Sequence, residues 1–177
     1  VIGQQLEKVA KIISLRDQLD VERDVFFVEV NGFDDHNNMH ESLAGKLSGI
    51  DVALKAFTAE IGETWQDTTF VTISDFGRTL TSNGLGTDHA WGGNMIIAGG
   101  GIDGGRILGH YPTDLSDDGY LSIGRGRLIP TTSWEQMWKG VLLWFGVEES
   151  QLDDVLPNLE NFPASNVDTL YDASLVY

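Results

Sequence analysis

The sequence predicts an α/β domain with a mostly parallel sheet. Apolar residues recur at helical intervals in separate stretches. Short β-branched or apolar runs stand between those stretches. The resulting order, helix–strand–helix–strand–loop–strand, puts helices in the connections that parallel pairing requires. The chain has 177 residues, 41% of them hydrophobic, enough for one core.

Residues 1–19 read as an amphipathic helix, with Ile2, Leu6, Val9, Ile12 or Ile13 and Leu19 on one stripe. Val25-Phe26-Phe27-Val28-Glu29-Val30 suits a buried strand, and Asn31-Gly32 breaks it. Leu43, Leu47, Ile50, Leu54, Phe57 and Ile61 alternate steps of four and three, the clearest helix in the chain. Phe70–Ile73 and Met95–Ala98 are the next strands, and residues 74–89 between them read as a polar loop. Residues 102–132, rich in Gly and Asp, are expected to form a surface excursion. Thr132 or Ser133 then caps a helix with Glu135 or Gln136 in its first turn, and Gly146 ends it. From 157 to 177 an irregular tail is expected. The organisation reads as one α/β domain over 1–177, or as the C-terminal half of a larger one. Val1-Ile2-Gly3 opens inside a helical pattern, which suggests a fragment or a processed product.

The net charge is −16, from 27 acidic and 11 basic residues. That argues against nucleic acid and anionic membrane surfaces as partners. No stretch approaches the roughly 20 apolar residues of a membrane span. The chain has no cysteine, which excludes disulfides, thiolate metal sites and cysteine nucleophiles.

Three polar clusters carry chemistry. Asp34-Asp35-His36-Asn37-Asn38 follows the first predicted strand. Carboxylate and imidazole suit Zn, Mn, Fe or Mg, although Asx-rich loops are more often turns, the favoured reading of this cluster alone. Asp75 and Arg78 follow the second strand: Asp75 a metal ligand and Arg78 an anion contact, or the two an internal ion pair. Asp88 and His89 precede Gly92-Gly93, whose lack of side chains lets backbone approach a ligand. His110 sits in a turn and reads as structural. In a parallel sheet the strand ends share an edge, so Asp34, His36 and Asp75 are expected to converge there, with Asp88 and His89 on a loop from the same edge.

Phe33-Asp34-x-His36-x-Asn38, Ser74-Asp75-Phe76-Gly77-Arg78-Thr79 and Thr87-Asp88-His89-Ala90-Trp91-Gly92-Gly93 together resemble a bacterial sulfatase-like family, known as domain of unknown function fifteen-oh-one. Gly126–Ser133, Trp144–Val147 and Leu156–Phe162 resemble the same family. The resemblance implies membership of the alkaline phosphatase and sulfatase superfamily. It therefore implies a three-layer α/β/α sandwich with divalent ions (Zn, Mn, Fe, Mg or Ca) at the strand ends. It implies hydrolysis of anionic phosphate or sulfate esters, and twin-arginine export to the periplasm or beyond. By motif position Asp34, His36 and His89 resemble ligands of one ion, with Asn38 or His40 as alternatives to His36. Asp75 resembles a ligand of a second ion, and Asp88 a ligand or a partner of His89. The family's nucleophile lies outside the motifs matched here. The expectation is thus part of a metal site without the nucleophile, inactive alone, with an N-terminal half on the same precursor or a separate chain as partner. Relatives carry His-His where this chain has Asn94-Met95. That difference supports the alternative, a non-catalytic extracellular structural or metal-binding module that keeps the fold.

Overall fold

A computed structural model describes residues 2–164, 170 and 171, so part of the expected 157–177 tail lies outside the described residues. The chain divides into two compact units, Val1–Trp65 with Ser82–Asp88, and Gln66–Thr81 with His89–Tyr177.

The first unit is built on two helices. Helix α1 (Ile2–Ser14) and the short α2 (Arg16–Leu19) fill the predicted 1–19 stretch, and Asp20 closes them in the left-handed region at φ 53°. Helix α3 (Met39–Ile61) contains all six stepped apolar residues. Leu6 and Ala10 of α1 bury against Ala53 and Phe57 of α3, with Ile13, Val28, Leu54 and Trp65 around them. Two small residues among the four let the helices approach closely.

The second unit is built on α4 (Trp134–Phe145). Ser133 and Gln136 form the capping box that the sequence predicts, and Gly146 ends the helix at φ 97°. Met137 and Val141 pack with Leu170 and Tyr171, and Val71, Ile97, Ile102 and Trp144 surround them. Trp144 stacks on Tyr171 with ring centroids 5.2 Å apart. Helix α5 (Leu152–Val155) buries Leu152. Residues 102–132 contain isolated bridges, Ile102 with Tyr171 and Ser122 with Leu128, and no helix or named strand.

The expected three-layer α/β/α sandwich with a parallel sheet is not what the chain forms. Among the described residues there are two small two-stranded sheets. Strand β1 (Thr69–Val71) pairs antiparallel with β4 (Ile97–Gly99), Phe70 opposite Ala98. The reason lies between them. Parallel pairing needs a crossover, usually a helix, but residues 72–96 contain a hairpin instead, so the chain returns in the opposite direction. Its strands are β2 (Gly77–Ser82) and β3 (Thr87–Ala90), where the sequence predicted only a polar loop. The predicted Val25–Val30 strand joins no ladder. No described helix is long and apolar enough to cross a membrane.

Candidate metal centre

The loop before α3 is pinned by Asp35. Its carboxylate accepts from the Ser42 hydroxyl at 2.6 Å and from the Lys46 ammonium at 2.6 Å. Lys46 also bonds Ser42 and lies over the Phe33 ring, 5.6 Å from its centroid. Ser42 and Lys46 are one helical turn apart, so both point at the same spot. With Asp35 held against α3, its neighbours Asp34 and His36 stay exposed.

The hairpin tip supplies the other wall. Asn83 Oδ1 accepts from the N–H groups of Leu85 and Gly86, at 3.0 and 2.8 Å, the Asx-type closure that Asn-Gly turns favour. Its amide nitrogen donates outward, to the His36 carbonyl at 3.1 Å and to Asp88 Oδ1 at 3.0 Å. The Asn38 N–H donates to the Leu85 carbonyl at 3.1 Å. Gly86 permits this approach: a Cβ there would stand 2.8 Å from the His36 carbonyl oxygen.

His36 sits between two carboxylates. Its Nε2 is 2.9 Å from Asp34 Oδ1, and its Nδ1 is 3.3 Å from Asp88 Oδ1. A neutral imidazole has one N–H and donates to only one carboxylate at a time. If Asp88 takes the Nδ1 proton, Nε2 presents its lone pair beside Asp34, the arrangement by which a carboxylate orients a metal-binding histidine. Ligands held about 2.0–2.2 Å from one ion lie roughly 3 Å apart, close to the Asp34–His36 separation. One nitrogen and carboxylate oxygens suit a borderline divalent ion. These residues therefore fit a metal, with Asp34 and His36 as donors and Asp88 as the orienting group. Asn83 is the member that sequence reasoning missed; the Asn-Gly pair between two Thr-rich segments was its signal.

The other candidates belong to the second unit. His89 stacks flat on Phe76, centroids 3.7 Å apart and planes 7° from parallel, and the Arg78 guanidinium lies over the same ring at 5.1 Å. Asp75 is exposed and forms no hydrogen bond or ion pair with described residues, so the Asp75–Arg78 ion pair considered above does not form. The close approach that Gly92 allows is to backbone: its N–H donates to the Leu128 carbonyl at 2.9 Å. The His110 carbonyl accepts from the Thr131 hydroxyl at 2.5 Å. Of the alternatives to His36, Asn38 lies at φ 45° before α3, its amide donating to Glu41 at 3.2 Å, and His40 is exposed in the helix's first turn.

Residues 14–119, more than half of the chain, match the profile of a family described as protein of unknown function (DUF1501). The chain belongs to this family. In this DUF1501 protein the matched stretch spans Asp34, His36, Asp75, Asn83, Asp88 and His89, and ends before Gly126–Ser133. No curated protein and no solved structure matches the chain.

Proposed function

We propose that this chain supplies part of the divalent-metal site of an exported phosphate- or sulfate-ester hydrolase. The observation that carries the reading is the His36 imidazole held between Asp34 and Asp88, with Asn83 fixing Asp88. Asp34 and His36 Nε2 hold the ion, and Asp88 keeps the Nδ1 proton so that Nε2 stays available. When bound, the ion polarises the ester oxygens of an anionic substrate. The family resemblance adds Asp75 and His89 as ligands and Arg78 as a contact for the anionic group. It places the nucleophile outside the matched motifs, so the isolated chain turns over no aryl phosphate or sulfate.

The test is titration of EDTA-stripped protein with Zn²⁺ and Mn²⁺ by calorimetry, with elemental analysis of the purified chain. Stoichiometric binding is expected. His36→Ala should weaken it at least tenfold, and Asp88→Asn by about 10–100-fold as an orienting partner. Absence of any transition-metal binding sinks the proposal. It would favour the second reading, a non-catalytic module, which rests on Asn94-Met95 standing where relatives carry two histidines.

A further inference from the structure

Residues 24–32 lie outside the proposed metal site and have an unusual surface. They join no helix and no ladder. Their exposure nevertheless alternates: Phe26, Val28 and Val30 are half-buried, while Val25 is 83% and Phe27 77% exposed. A period of two is that of a strand. Glu29 shows which edge is covered. Its N–H donates to Gln5 Oε1 at 3.2 Å, and its carbonyl accepts from Gln5 Nε2 at 2.8 Å. In a strand both groups of one residue face the same edge, so a single side-chain amide stands in for a neighbouring strand on the edge of Val25, Phe27 and Glu29. On the opposite edge, the backbone groups of Phe26, Val28 and Val30 pair with none of the described residues.

We infer that the Phe26–Val30 edge is a docking site for a β-strand of another polypeptide, one with basic residues at its ends. The backbone fixes the conformation of the partner. Donors and acceptors alternating along an edge are matched by an extended chain, whereas a helix has already paired its own. The charge fixes its sign. Asp24 and Glu29 bracket the apolar residues, and the whole chain carries −16. A second copy would bring the same excess, whereas a strand with lysines at its ends is attracted. Val25 and Phe27 then leave water against the partner's side chains, which accounts for two large apolar groups held in solvent.

The probe is a labelled peptide of alternating valine and threonine with two lysines at each end, added to the full chain in EDTA so that metal plays no part. Anisotropy should show saturable binding. The same peptide with glutamate ends, or with N-methyl groups on alternate residues, should bind at least tenfold more weakly. Hydrogen exchange at Phe26, Val28 and Val30 should slow at least tenfold in the complex. Phe27→Lys, at an exposed position, should keep the fold and weaken binding at least fivefold. No binding, equal binding of the glutamate-ended peptide, or unprotected amides in the complex each overturns the inference. So does a dimer of the free chain that Phe27→Lys dissociates, because the occupant would then be a second copy.

Discussion

Helix α4 starts at a capping box, ends at a left-handed glycine and buries Met137 to 3% exposure. Residues 24–32 contain five large apolar side chains, yet Val25 and Phe27 stand in solvent. The contrast lies in where backbone hydrogen bonds go. A helix closes its own ladder and needs help at its ends only. A strand closes nothing until another chain segment lies beside it. Apolar sequence therefore suffices to complete α4 against its neighbours, whereas the same composition in a strand leaves an edge and a face unfilled.

Substitutions sharpen this contrast. The largest effect is expected for Met137→Ala, which opens a cavity among Val141, Leu170 and Tyr171. It should cost about 2–5 kcal/mol in urea unfolding followed at α4. A cost under about 0.5 kcal/mol would mean that α4 has no fixed core. Next is Gly86→Ala, whose methyl group would press on the His36 carbonyl. A destabilisation of about 1–3 kcal/mol is expected, together with weaker metal binding, because the hairpin tip must withdraw from His36. Unchanged metal affinity would break the link between tip and site.

A smaller effect appears at alkaline pH. Burial pushes the Tyr171 hydroxyl up to about 12, opposed in part by its hydrogen bond with Thr69. The folded state thus holds this proton more tightly than the unfolded chain, whose tyrosine titrates near 10. The stabilisation is complete below about pH 10 and is lost as pH rises through about 12. Tyr171→Phe should remove that part of the alkaline decline, read as the difference between the two unfolding curves. The smallest effect is expected for Phe27→Ser. Because the side chain is 77% exposed, stability should stay within about 0.5 kcal/mol of the parent. A loss above 2 kcal/mol would show that residues 24–32 are already packed.

The helices were legible because their signals are local. The α3 spacing and the Ser133, Gln136 and Gly146 caps lie within one stretch of sequence and act there. Two of the strands were legible as segments, but their direction was not. Thr69–Val71 and Ile97–Gly99 say nothing about orientation; the hairpin between them decides it. That hairpin was missed because Thr79-Leu80-Thr81 is short and its polar flanks read as loop. At the site, Asp34, His36 and Asp88 were visible by residue type. The shared-edge argument for bringing them together was wrong, since no parallel sheet exists among the described residues. Asn83 does that work through a turn, and a turn residue reads in sequence as punctuation.

Trp65, set edge-on to Phe57 at 6.5 Å beside the α1–α3 core, has an optical consequence. It is the first unit's sole tryptophan; the other four lie in the second. With Trp91, Trp134, Trp138 and Trp144 replaced by phenylalanine, the remaining indole emission reports the two-helix unit alone. The stacked Trp144–Tyr171 pair gives the second unit a separate near-ultraviolet dichroic band. One chain thus carries two spectroscopic clocks, and whether they run together measures how far the melting of the two units is a single event.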